Sequence, residues 1–233
     1  MIRTRPAPMN CDAIAPFYNA LEHLSFGNYL ERCRTTFLPE TTKSRSAIVC
    51  GGGDGRFLAH LLRVNSCVEV DFVELSLRMV RLAKQRVARM GPAFLTRVRF
   101  HVADIRDFVR PPGSYNLIVT HFFLDCFSDP ELADVVARLS SWATPGARWI
   151  VSDFCEARGP IAQVWTRLIV RSLYAAFKFT TGLRVTRLPD YAGAVAGEGY
   201  LLRFERQTLK GLFRSSLWEQ AASSLTCRGR ARS

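Results

Sequence analysis

Between Arg45 and Phe154 the chain alternates between short runs rich in β-branched residues and stretches with apolar residues on one helical face. The runs are AIVC (47–50), CVEVDFVE (67–74), RVRFHVA (97–103), YNLIVTHF (115–122) and ARWIVSDF (147–154). Between them lie the helical stretches Arg56 to Arg63, Leu77 to Met90 and Glu131 to Trp142. This alternation is the signature of right-handed βαβ crossovers, and it predicts an α/β fold of Rossmann-like, doubly wound type. Two more runs, YLLRFERQ (200–207) and LKGLFRSSLW (209–218), are joined by so short a link that they must pair antiparallel.

The flanks follow other patterns. Residues 10–39 carry Ile14, Phe17, Tyr18, Leu21 and Leu24, then Phe26, Leu30, Cys33 and Phe37, at helical spacing. They read as two helices with a break near Ser25 to Asn28 and an end at Pro39. A long helical stretch from Ile161 to Leu183 interrupts the alternation, and a further helix is expected over Asp190 to Glu198. The expected organisation is a helical cap (1–44), a main domain (45–218) with a helical insertion (158–188), and a basic, disordered tail (219–233). In the insertion, Ile161, Val164, Trp165, Leu168, Ile169 and Leu173 form an apolar stripe, with Arg167, Arg171 and Lys178 nearer the opposite face. Such a helix is either a lid over a pocket or a contact with a membrane surface.

Composition narrows the class. At 233 residues and 48% hydrophobic content, one sizeable core is expected. No run approaches the roughly 20 apolar residues of a membrane span, and the basic N-terminus MIRTRPAPMNCDAIAPF lacks the apolar stretch of a secretory signal. A cytoplasmic location, with or without peripheral membrane contact, is the expectation. The seven cysteines show neither C-x-x-C nor paired Cys/His spacing, so neither a zinc site nor a disulfide framework is expected. The net charge of +12 suits an anionic partner, but it is mostly arginine spread along the whole chain, which is also what a compositional bias produces.

The first run ends in Gly51-Gly52-Gly53-Asp54-Gly55. In open α/β sheets the loop after the first strand anchors the ligand. Neither frame of the G-x-G-x-x-G dinucleotide fingerprint fits, because Arg56 and Leu58 stand where its third glycine would be, and the G-K-[ST] of a P-loop is missing. The observed G-x-G-x-G resembles the S-adenosylmethionine loop of class I methyltransferases. Glu74 closing the second run and Ala103-Asp104-Ile105 after the third are similar to that family's ribose-binding acid and adenine-binding pair. The resemblance covers roughly residues 45–218. It implies a seven-stranded, mostly parallel sheet with an antiparallel C-terminal strand, and S-adenosylmethionine held by Gly51, Gly52, Gly53, Asp54, Gly55, Glu74, Leu75, Asp104, Ile105 and Thr120. One departure stands out. The family places an acid two residues before the first loop glycine, to position the methionine end of the cofactor, and that position is Val49 here. Asp54 either substitutes for it or caps the following helix.

For catalysis the informative segment is Thr120-His121-Phe122-Phe123-Leu124-Asp125, at the end of the fourth run. It is not the Asn/Asp-Pro-Pro-Tyr of enzymes that methylate nucleobase or amide nitrogen. His121 is the candidate base, or else a structural histidine beside the cofactor, and Phe122 and Phe123 either wall an apolar pocket or fill the core. Ala15-Pro16-Phe17-Tyr18 resembles the opening of ubiquinone/menaquinone C-methyltransferases and bacterial phospholipid N-methyltransferases, which makes Tyr18 the second catalytic-side candidate. The resemblance implies methyl transfer to a small, hydrophobic or aromatic acceptor such as a quinone precursor, lipid head group or secondary metabolite. Two alternatives remain: an RNA or protein methyltransferase, disfavoured by the missing motif and the absence of an RNA-binding module, and a non-catalytic scaffold or partner subunit.

Overall fold

The strand Ser46–Cys50 (β1) is buried over four of its five residues, as a strand covered on both faces must be. In the computed structural model, which describes residues 28–155 and 188–221, β1 pairs in parallel with Glu69–Glu74 (β2) on one side and Tyr115–His121 (β4) on the other. Val98–Val102 (β3) extends the sheet beyond β2, and Ala143–Phe154 (β5) beyond β4, both parallel. Phe213–Gln220 (β7) then pairs antiparallel with β5, and Tyr200–Thr208 (β6) antiparallel with β7. The resulting order is β3-β2-β1-β4-β5-β7-β6, seven strands of which β7 alone runs against the rest. The order reverses between β1 and β4, and that crevice is where an open α/β sheet takes its ligand.

Successive residues of each strand point to opposite faces, and the core divides accordingly. Val49, Phe72, Val119 and Ile150 pack under Arg56–Val64 (α2) and Leu77–Ala88 (α3), against Phe57, Leu58, Leu61, Val80 and Ala83. Their neighbours Ile48, Val73, Ile118 and Trp149 pack under Asp129–Ser141 (α5) and Tyr191–Gly197 (α6), against Leu132, Val135, Leu139 and Val195. The helix starts have local causes. The Ser76 hydroxyl accepts from Met79 N at 3.2 Å, the Glu131 carboxylate accepts from Ser128 N at 3.1 Å, and Asp190 accepts from Gly193 N at 2.9 Å.

Tyr29–Thr35 (α1) is the second of the two expected N-terminal helices. The first helix, Tyr18, the insertion 158–187 and the tail from 222 lie outside the described residues. Pro39 does not end α1: it sits in the first turn of a separate 3-10 helix, Leu38–Thr41, where its missing N–H costs nothing. A short helix at Pro92–Leu95 (α4) was not expected, since Gly91-Pro92 reads as a break. β5 starts at Ala143, four residues before the expected run, because Pro145-Gly146 forms a bulge within the strand, with Gly146 at φ +74°, and the register slips between Tyr115 and Leu117. No helix among the described residues is long and apolar enough to cross a membrane.

Candidate active site

Each glycine of the loop after β1 answers a separate local demand. A Cβ on Gly52 would enter the Phe72 ring, and one on Gly51 would meet the Phe123 ring. Gly55 begins α2 at φ +78° with Ala83 of α3 so close that a Cβ would lie 2.7 Å from it. Gly53, at φ +57°, differs: nothing lies within 4 Å of where its Cβ would stand. Its backbone is thus presented to open space, the approach a ligand needs.

Glu74 ties this loop to the end of β2. One carboxylate oxygen accepts from Gly53 N and the other from Ser76 N, both at 3.0 Å. A carboxylate oxygen has more than one acceptor position, and an acid at this strand end has the chemistry to take a pair of vicinal hydroxyls. Leu75, partly buried, links Glu74 to the cap residue of α3. Beyond β3, the Asp104 carboxylate accepts from Arg106 N at 2.9 Å and is clasped by the Arg106 guanidinium, which also reaches Glu131 of α5 at 3.1 Å. Ile105 is buried in the α5 layer.

Two of the expected cofactor residues, Asp54 and Thr120, carry hydrogen bonds to other side chains of the protein. Asp54 is buried and accepts from Arg86 Nη2 at 2.8 Å and Arg56 Nε at 3.2 Å, so its carboxylate braces α2 against α3. Its contact with Arg56 N is a long 3.4 Å, and Gly55 occupies the capping position of α2. Val49 is buried in the sheet, where no acid would be tolerated unpaired. Thr120 is fully buried, and its hydroxyl accepts from Trp149 Nε1 at 3.0 Å, a core contact rather than a cofactor contact.

At the end of β4, His121 lies edge-on to Phe57 of α2, with ring centroids 4.5 Å apart. Neither ring nitrogen has a hydrogen-bond partner among the described residues. Burial, and secondarily the nearby Arg34 cation, hold its pKa well below the usual histidine range, so the ring is neutral at neutral pH. A neutral imidazole of this kind offers one donor and one acceptor but takes a proton weakly. The chain then turns through Phe122, a non-glycine residue at φ +51°. Such a conformation costs on the order of 1–3 kcal/mol. It is held by Phe122 N donating to Ser152 O at 2.7 Å and by the ring packing on Phe154 and Phe213. Phe122 therefore belongs to a core cluster, while Phe123 roofs Gly51 across the crevice.

Two carboxyls that sequence reasoning did not single out meet at this edge. Asp153, near the end of β5, is buried and accepts from Asp125 N at 3.2 Å and Phe154 N at 2.9 Å. Burial and the adjoining Asp125 carboxyl push Asp153 well above the usual carboxylate range. The available signal was an acid placed inside the otherwise apolar strand end VSDF. No cluster of metal-ligating side chains occurs among the described residues.

The strand order, the reversed β7 and the glycine loop at the switch point define the class I methyltransferase fold. Residues 48–149 match the family model described as "Methyltransferase domain". An O-methyltransferase family protein from Burkholderia thailandensis superposes with a TM-score of 0.67 at 18% identity, over 89% of this chain and 59% of that one. Among curated proteins, polyamine aminopropyltransferase 2 of Bacillus cereus is 26% identical over 125 residues, 50% of this chain and 34% of that protein. N-terminal Xaa-Pro-Lys N-methyltransferase 1 of Mus musculus is 27% identical over 161 residues, 65% of this chain and 70% of the mouse protein. The chain thus spans about a third of the length of the aminopropyltransferase it matches.

Proposed function

We propose that the protein transfers a methyl group from S-adenosylmethionine to a small acceptor, with Gly51, Gly52, Gly53, Gly55, Glu74, Leu75, Asp104 and Ile105 holding the cofactor. The observation that carries this reading is the Gly53–Glu74 cradle: an open-faced glycine backbone hydrogen-bonded to an acid at the end of the neighbouring strand. The cofactor supplies an electrophilic methyl group whose displacement requires alignment above all. The chain provides that alignment through the loop and through Phe123, whose ring over Gly51 narrows the crevice. Asp54, paired with Arg86 and Arg56, braces the loop from behind, and in this reading it acts on the cofactor through the loop's backbone.

An OH or NH acceptor must also lose a proton, and efficient bases titrate near the working pH. His121, held far below that range, orients the acceptor or cofactor, and Asp153, pushed upward by burial and by Asp125 beside it, is the candidate proton acceptor of this edge. The O-methyltransferase name of the solved neighbour supports a small-molecule acceptor. Membership of the quinone or phospholipid subgroup rests on Tyr18 and its neighbours alone, and peripheral membrane contact on the sequence pattern of residues 158–188. Incubation with methyl-labelled S-adenosylmethionine and a panel of phenols, quinols, polyamines, peptides and RNA tests the reading. Label is expected on a small aromatic member. Label on RNA or peptide, or cofactor binding with no transfer to any member, would replace it with one of the alternatives.

A further inference from the structure

A cavity of about 310 Å³ opens beside α6, where β5 and β6 end and β7 begins. Its apolar wall is Phe154, Leu188 and Pro189, and its polar wall includes Tyr191 and Arg214. The volume is at the small end of the roughly 300–1,000 Å³ of ligand pockets, which suits one substituted ring. It lies on the same sheet edge as the glycine loop: β5 is two strands from β1, about 10 Å along that edge.

Arg214 is fixed in place. Its Nε donates to Tyr191 Oη at 2.7 Å, and its guanidinium carbon sits 4.9 Å from the Tyr191 ring centroid. Its ion-pair partner is Glu205 at 3.7 Å, beyond hydrogen-bond distance. The acid on the wall, Asp190, caps α6 through Gly193 N at 2.9 Å. The guanidinium has five N–H donors, and among the described residues Tyr191 is its one hydrogen-bond partner. A planar, permanently charged fork therefore stands on the polar side of a cavity whose other side is apolar, with its side chain only 27% exposed. Bidentate pairing with a carboxylate is the interaction such a fork makes best.

We infer that this cavity is the acceptor pocket and that Arg214 determines its specificity, pairing with a carboxylate or phenolate carried by a small aromatic acceptor. The inference rests on the small-molecule methyltransferase reading. Its test uses two ligands of one shape, benzoate and the neutral benzamide, titrated calorimetrically into the full chain with and without saturating S-adenosylhomocysteine. Wild type is expected to bind benzoate about tenfold more tightly, as expected when a charge-assisted hydrogen bond is exchanged for a neutral one. Arg214→Gln loses that preference, whereas Arg81→Gln, on the exposed face of α3, keeps it and so excludes a general effect of net charge. Tyr191→Phe, which removes the anchor of Nε, narrows the preference several-fold and serves if Arg214→Gln does not fold. Equal affinity of the two ligands in wild type, including no binding of either, overturns the inference, as does a preference that survives Arg214→Gln. S-adenosylhomocysteine affinity is expected to be the same in wild type and both Arg214 and Arg81 variants. Its absence in wild type would contradict the cofactor reading separately.

Discussion

Asp71 on β2 and Asp153 on β5 are both buried strand aspartates, with 0% and 1% of their surface exposed, and they stand in opposite electrical company. Asp71 accepts from Arg99 at 2.9 and 3.1 Å, His101 at 2.7 Å, Arg110 at 2.9 Å and the Tyr115 hydroxyl at 2.7 Å. Burial works to raise its pKa, but the hydrogen bonds from Arg99, His101 and Tyr115 prevail and bring it down to about 2. Asp153 has another carboxyl beside it, and its pKa goes up. The first arrangement ties β2, β3, β4 and the loop before β4 together in the half of the sheet that carries Glu74. The second sets two carboxyls against each other in the half that carries the cavity. Perturbed carboxyls mark structure or function according to their partners, not according to their depth.

The largest expected difference is in stability. Asp71→Asn leaves Arg99 and Arg110 without their shared anion and should cost about 2–4 kcal/mol, lowering the thermal midpoint by roughly 5–15 °C. Asp153→Asn removes a charge that burial and Asp125 already disfavour, puts a near-isostere in its place and should cost less than about 1 kcal/mol. Denaturant melts of the two variants at neutral pH check this, and equal losses would break the comparison.

A smaller, opposite pair of effects is expected with pH. Because the folded pKa of Asp71 is depressed, its contribution is fully present above its unfolded pKa near 4. It is lost as pH falls from about 4 to about 2, a loss of roughly 1–2 kcal/mol that Asp71→Asn should lack. The raised pKa of Asp153 means that the folded state holds a proton the unfolded state has released. Its contribution therefore fades as pH rises from about 4 toward its folded pKa, and Asp153→Asn should flatten that decline. Melts across pH 2–8 separate the two slopes.

The loop offers a comparison on the scale of one methyl group. Gly52→Ala drives a Cβ into Phe72, and an overpacked core costs about 1–3 kcal/mol. Gly53→Ala meets no neighbour and should cost about 1 kcal/mol, from its positive φ. The cofactor affinity should nevertheless fall more for Gly53→Ala among molecules that remain folded. Thermal melts paired with S-adenosylhomocysteine titrations read both quantities, and parallel losses would show that the open face of Gly53 is not a binding surface.

The sheet was legible in the sequence because its signals are local. β-branched runs, one-sided helices and the glycine loop all declare themselves within a few residues, and Glu74 and Asp104 stand where strands end. What escaped depends on partners far apart along the chain. Asp71 reads as one polar residue in VEVDFVE, and only the fold brings Arg110 and Tyr115 to it, 39 and 44 residues on. Asp54 reads as a cofactor ligand or a helix cap, and only the fold brings Arg86, 32 residues on, to its carboxylate. Thr120 faces the core because the alternation of β4 sends it toward Trp149, and that phase was fixed by tertiary packing. His121 was found from its place at a strand end, but its neutrality under Phe57 and Arg34 was not.

The central claim, that the Gly53–Glu74 cradle holds the adenosyl cofactor, is tested most directly by calorimetric titration of S-adenosylhomocysteine into wild type and Glu74→Gln. One-to-one binding is expected in wild type, with about tenfold weaker affinity in Glu74→Gln for the loss of a charge-assisted hydrogen bond. No binding to wild type, or equal affinity in both proteins, would contradict it.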